Sequence, residues 1–178
     1  MTDDLVIRPA IEDDAAGLFD LRERVAAEGV WIGSEAPLDP ARERGLFRSL
    51  VDSEDKALFI ALIGDDIVGG LGIAFGLPGV TEFGMQIDRA WRHRGIGSAL
   101  MTEAIAWSTE RGAHKLELQV WPHNGPAIGL YEKFGFVREG CLRRHYRRRS
   151  GELWDAVVMG LVLDTASPGS ELNGPRYV

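Results

Sequence analysis

Arg92-His93-Arg94-Gly95-Ile96-Gly97-Ser98 lies between two patterns of different period. Upstream, Val80 to Asp88 reads as an apolar strand; downstream, Ser98 to Arg111 reads as an amphipathic helix closed by Gly112. A basic, glycine-containing turn that opens a helix is a place to hold a phosphate. The first N–H groups of a helix have no partner within it, and the helix dipole adds positive charge there. Glycine at 95 and 97 removes Cβ atoms that would keep a pyrophosphate away from the backbone. Lys115 to Val120 then alternates as another strand, so residues 80–120 predict a strand–helix–strand crossover with parallel pairing.

Working outward, Ala57–Ile63 and Ile67–Phe75 are strands joined by a turn at Gly64-Asp65-Asp66. With the turn over Gly76 to Gly79 they form an antiparallel meander ending in the 80–88 strand. Leu5 to Arg8 is a short strand stopped by Pro9. Asp13-Asp14 precedes a helical spacing at Leu18, Leu21, Val25 and Ala26, with acids at its positive end. Gly29 to Pro40 is turn-rich, and Pro40 opens a second short helix. Beyond the crossover, Pro122 to Pro126 is a loop and a helix runs to Phe134, capped by Gly135. Phe136-Val137 opens a strand, and a hairpin turning at Ser150-Gly151 returns through Leu153 to Leu163. The order β-α-α-β-β-β-α-β-α-β-β predicts an α/β fold: a mixed sheet of about seven strands flanked by four helices. Residues 1–164 read as one domain, and 165–178, rich in Ser, Pro and Gly, as a flexible tail.

A chain of 178 residues suits one domain with a real core. Its net charge of −7 argues against a nucleic-acid partner. Residues 1–66 hold 16 acids and 7 bases whereas 67–178 hold 11 and 13, so the later part suits an anionic ligand. A single cysteine, Cys141, excludes an internal disulfide and a cysteine-rich metal site. His93, His114 and His145 have no metal-ligand spacing, so no metal is expected. No apolar run approaches a membrane span, and Met-Thr-Asp-Asp lacks the marks of a signal peptide. A cytoplasmic protein without a membrane partner is the expectation.

Which phosphate ligand suits the turn? A P-loop needs Lys and then Ser or Thr after the second glycine, but Ser98-Ala99 follows Gly97. A dinucleotide fingerprint needs a small residue three places on, where Leu100 stands. The pattern Arg92-x-x-Gly95-x-Gly97 instead resembles the coenzyme A pyrophosphate loop of the GNAT acetyltransferases. Asn124 in the next loop, the Leu130-Tyr131-Glu132-Lys133-Phe134-Gly135-Phe136 run, and Ile7-Arg8-Pro9-Ala10 followed by Asp13-Asp14 extend the likeness over about residues 5 to 163.

The resemblance implies the GNAT fold, acetyl-CoA as cofactor and N-acetyl transfer. It implies that the basic turn of Arg92, His93, Arg94, Gly95, Ile96, Gly97 and Ser98 anchors the pyrophosphate through backbone N–H groups. It further implies that Met85, Gln86 and Ile87 pair with the pantetheine amides, and that an N–H near Ile87 polarises the thioester carbonyl. Tyr131 matches the family tyrosine near the sulfur, a candidate acid for the leaving thiolate; read by itself it is an aromatic packed on the sheet. Glu82 matches an acid that serves as general base directly or through water; read by itself it is a solvated charge on a strand. Asn124 matches a cofactor contact, and is equally an ordinary turn or cap residue. His123 is an alternative base. Trp31, Ile32 and Glu35 fall in a loop that helps form the acceptor pocket. The basic run Arg143 to Arg149 reads as a solvated hairpin or a subunit contact, and homodimers are common for such folds. The acceptor implied first is a small-molecule amine such as an amino acid, a polyamine or an antibiotic. A protein or peptide N-terminus comes second, and a non-catalytic coenzyme A sensor is the reading from another class.

Overall fold

A computed structural model describes residues 5–163, so the stretch expected to be a tail lies outside the described residues. Seven strands form one mixed sheet in the order β1-β2-β3-β4-β5-β7-β6. They are β1 (Leu5–Pro9), β2 (Lys56–Ile63), β3 (Asp66–Leu77), β4 (Val80–Ile87), β5 (Lys115–Val120), β6 (Val137–Arg147) and β7 (Leu153–Val162). Helices α1 (Ala15–Ala27) and α2 (Pro40–Val51) precede the meander, α3 (Ile96–Glu110) is the crossover, and α4 (Gly125–Lys133) joins β5 to β6. The architecture is the one the sequence predicts.

Local chemistry explains most boundaries. The Asp39 carboxylate accepts from the N–H groups of Ala41 and Arg42, and Pro40 needs no such partner, so α2 starts there. Pro9 extends β1 rather than stopping it, pairing with Phe59. That is possible because β1 is an edge strand and a missing N–H on its outer side breaks no ladder. Helix α3 begins at Ile96, two residues earlier than the pattern predicts, and so takes Gly97 inside its first turn. Short 3-10 turns at Glu12–Asp14 and Arg89–Trp91 were not legible from periodicity.

Leu100, Met101, Ala104 and Trp107 of α3 are buried on one sheet face against Leu71, Ile73, Leu116 and Leu118. The opposite face carries α1 and α2 through Leu18, Phe47, Leu58 and Ile60. Burying each such side chain stabilises the fold by about 1.5–3 kcal/mol. No helix among the described residues is long and apolar enough to cross a membrane.

The pairing that positions the site is the incomplete one. β4 and β5 run parallel but pair only at Val80–Lys115, Thr81–Leu116 and Glu82–Glu117. Beyond that, β4 stays with β3 as far as Gly69–Ile87, and β5 stays with β7 as far as Val120–Val157. Each strand keeps its antiparallel partner, so the sheet opens as a V. Thr81 sits at its vertex, fully buried, with its hydroxyl 2.8 Å from that of Ser108 on α3.

Candidate active site

A cleft of about 1280 Å³ follows the V across the molecule, from the turn before α3 to the space beneath α1 and α2. At the α3 end, His93 and Gly95 both take left-handed backbone conformations, with φ of 60° and 86°. They curl the chain into the helix so that its leading N–H groups face the cleft. The first helical bond is Ala99 N–H to Gly95 O, at 3.0 Å, which leaves Ile96, Gly97 and Ser98 without a partner to their N–H groups inside the helix. His93, Gly95, Gly97 and Ser98 all border the cleft. Such an arrangement of free N–H groups is suited to an anion such as a pyrophosphate.

The side chains of the turn have partners of their own. A Cβ on Gly95 would meet nothing, and there glycine answers the left-handed φ. A Cβ on Gly97 would stand 2.9 Å from Leu130 and 3.2 Å from Ile87, so that glycine is required by packing of α3 against α4 and β4. Ile96 is a core side chain, 1% exposed, and can offer only its backbone. Arg94 is exposed with its guanidinium 4.7 Å from the Trp91 ring centroid. Arg92 is not a free phosphate ligand. Its two Nη atoms meet the Glu28 carboxylate at 2.8 and 2.5 Å, and its Nε donates to Ile87 O at 3.1 Å. Paired this way, Arg92 ties the turn to the end of α1 and holds the Glu28 carboxyl below its ordinary range.

Along β4, the antiparallel ladder decides which backbone groups are free. Asp88 N–H donates to Val68 O, so by alternation Gln86 and Gly84 turn their groups toward β3. Phe83, Met85 and Ile87 turn theirs into the V. The Ile87 carbonyl already accepts from Arg92, which leaves the Ile87 N–H and both groups of Met85 for an extended amide chain. Gln86 therefore cannot pair through its backbone; its side chain borders the cleft, with Oε1 3.4 Å from an Arg22 Nη. Asn124 caps α4, its Oδ1 accepting from Ala127 N–H at 3.3 Å. Its amide NH2 remains available beside the V.

Tyr131 borders the cleft while its ring packs edge-on against Phe83, with centroids 5.8 Å apart. Tyr131 is thus an aromatic packed on the sheet, as one sequence reading has it, and also borders the cleft. Burial pushes its phenol up to about 12, so it stays protonated at neutral pH. Glu82 is exposed and borders the far arm of the same cleft, where its carboxylate has no ion-pair partner among the described residues. Its Oε1 occupies the spot 2.6 Å from where a Cβ on Gly76 would stand.

The loop from Glu28 to Asp39 borders the cleft through Trp31, Ile32 and Gly33. Trp31 borders the cleft and donates its indole N–H to Glu28 at 2.8 Å. Glu35 does not face the cleft: it accepts the Arg149 N–H at 2.9 Å and lies 3.5 Å from Arg148. His123, the alternative base, does not border the cleft either. Its Nε2 donates to Val30 O at 2.8 Å, which fixes the proton there, and it lies in a separate depression beside Trp154. Nor is the basic run a solvated hairpin throughout. Arg148 is 5% exposed and donates to the carbonyls of Gly29, Ile32 and Gly33, with its guanidinium 4.3 Å from the Trp154 ring centroid. Arg149 donates to Ala36 O and Pro37 O.

Sequence reasoning missed Tyr146, Gln119 and Arg22, which also border the cleft. Tyr146 was hidden in the basic run. The alternation of β5, which puts Gln119 on the face of Glu117, was the one signal that could have found its partner.

A family model described as the acetyltransferase (GNAT) family matches residues 20–136. The L-amino acid N-acetyltransferase AaaT of Escherichia coli K12 is 36% identical over 118 residues, covering 64% of this chain and 72% of that protein. The [ribosomal protein bS18]-alanine N-acetyltransferase of the same organism is 35% identical over 85 residues, covering 48% of this chain and 57% of that protein. Among solved structures, yncA from Salmonella typhimurium, crystallised with its cofactor acetyl-CoA, shares the fold. It superposes with a TM-score of 0.78 over 94% of this chain and 99% of that one, at 19% identity.

Proposed function

The chain belongs to the acetyltransferase (GNAT) family, and on that premise we propose that it acetylates the primary amine of a small molecule by direct transfer in a ternary complex. Acetyl-CoA is the donor and supplies, when bound, the activated thioester. One observation carries the reading. The pyrophosphate cradle, the open edge of β4, Tyr131 and Glu82 border a single continuous cleft, so donor and amine can be held together.

In this reading the N–H groups at the start of α3 hold the pyrophosphate, and Met85 and Ile87 hold the pantetheine arm as an added strand. Another free N–H on the same edge, near Ile87, is the donor for the developing carbonyl oxyanion. Glu82, directly or through one water, takes the proton that the amine must lose before its lone pair can attack. As the C–N bond forms and the C–S bond breaks, Tyr131 gives its phenol proton to the departing sulfur. The nitrogen of the new amide sheds its second proton through water to the Tyr131 phenolate, and Glu82 releases the first to solvent, so the pair is restored. Cys141 is exposed on β6 and does not border the cleft, which supports direct transfer over a protein thioester.

The alignment covering 72% of an amino acid acetyltransferase supports a small amine as acceptor; the ribosomal relative aligns over 57% of its length. Release of coenzyme A in the presence of a panel of amino acids, polyamines and alanine-starting peptides tests this. Turnover of the small amines is expected. Turnover of peptides alone would replace the reading by N-terminal acetylation, and tight cofactor binding without turnover on any amine would replace it by a sensor.

A further inference from the structure

We propose that Tyr146 is an acceptor-positioning residue: its phenol oxygen receives an N–H of the incoming ammonium, opposite the Glu82 carboxylate at the same end of the cleft. The inference rests on acetyl transfer to a primary amine, and it names a binding contact rather than a proton-transfer group. The placement of Tyr146 is specific. β6 loses register against β7 between Leu142 and Tyr146, four residues spanning what Ala156 to Trp154 spans in two. That irregularity re-aims the strand next to the site. The Tyr146 ring then packs edge-on against Trp121, centroids 4.8 Å apart at 88°. Its hydroxyl donates to Gln119 Oε1 at 2.7 Å.

A phenol has one proton and two lone pairs. With the proton committed to Gln119, Tyr146 presents only acceptor capacity to the cleft. Glu82 is close enough for its charge, after burial, to help hold the phenol un-ionised. One end of the cleft thus carries a carboxylate and a committed acceptor and no free donor from either residue. A protonated amine has three N–H groups and suits both; an alcohol or carboxylate acceptor does not.

The test uses the full chain and whichever amine of the panel, small molecule or peptide, turns over fastest. Tyr146→Phe keeps the ring against Trp121 and removes only the oxygen. The KM for the amine should rise about tenfold, with the KM for acetyl-CoA and kcat at saturating amine within about twofold. Gln119→Leu, which frees the phenol proton, should raise the same KM, whereas Gln119→Glu, which still accepts it, should not. An unchanged amine KM in Tyr146→Phe overturns the proposal, as does a parallel rise in the KM for acetyl-CoA, which marks a merely structural role. Wild-type turnover confined to peptides would overturn the small-amine reading and leave the Tyr146 assignment to stand or fall on the peptide KM. Absence of turnover on any amine overturns both.

Discussion

Tyr131 and Glu82 have opposite environments, and this is what separates their roles. The phenol is buried among Phe83 and Phe136, and that burial keeps its proton on at neutral pH. Tyr131→Phe preserves those ring contacts, so coenzyme A should bind with unchanged affinity while kcat falls by about 10²-fold or more. Steady-state kinetics beside a coenzyme A titration checks this, and an unaltered kcat removes Tyr131 from the reaction. Glu82 is exposed and depends on a glycine for its place, because its Oε1 lies only 2.6 Å from where a Cβ on Gly76 would stand. Glu82→Gln should lower kcat/KM about 10²-fold, read by steady-state kinetics, with coenzyme A binding unchanged. Gly76→Ala should fold normally, since only the end of a flexible side chain must give way, yet move activity part of the way toward Glu82→Gln. Wild-type kinetics in Gly76→Ala would show that the position of the carboxylate does not matter. Both catalytic candidates were legible as residue types at family positions. The glycine that seats one of them was not, because the contact joins the end of β3 to β4.

At the scale of elements, the loop between α1 and α2 is the clearest case of long-range placement. Three segments far apart in sequence hold it: Arg92 through Glu28, His123 through Val30, and the β6–β7 hairpin through Arg148 and Arg149. These segments follow β4 on one side of the V and β5 and β6 on the other, so the loop braces the opened sheet across its mouth. Arg148→Ala would strip the charged donor from three carbonyls and leave them poorly satisfied. The fold should lose about 2–4 kcal/mol, read by urea unfolding, with a larger rise in the KM for the amine than for acetyl-CoA. Equal rises would show that the brace serves the whole cleft and not its acceptor end. In sequence Arg92 looked like a phosphate ligand and Arg148 like one charge among several. Neither spacing nor composition shows which cation will be consumed by an internal partner.

For the whole molecule, two ion pairs couple folding to pH. The Arg8 guanidinium holds the Asp14 carboxyl below its ordinary range, and Arg92 does the same for Glu28. A carboxyl depressed on folding contributes stability that is present in full above its unfolded value and is lost as pH falls through the folded one. Stability should therefore be flat through neutral pH and decline on acidification through and below the ordinary carboxylate range. Arg8→Ala should shrink that decline, and urea titrations across the acid range measure it. A slope unaltered by Arg8→Ala would show that this pair is not a source of the acid sensitivity. Glu28 joins the cofactor turn to α1, so the same acidification should loosen the site together with the fold.

By itself the sequence determined the order of elements, the crossover between β4 and β5, the glycine turn that opens α3 and the family to which they belong. Those depend on local periodicity, on glycine where φ is positive and on the unpaired N–H groups of a helix start, all carried by neighbours in the chain. Only the tertiary structure decided where the sheet opens, which strand groups remain free, which arginines are spent on internal partners, and that Tyr146 meets Gln119 beside Glu82. Those are outcomes of competition for hydrogen bonds and space among residues distant in sequence, and such a competition is settled only once the chain is packed.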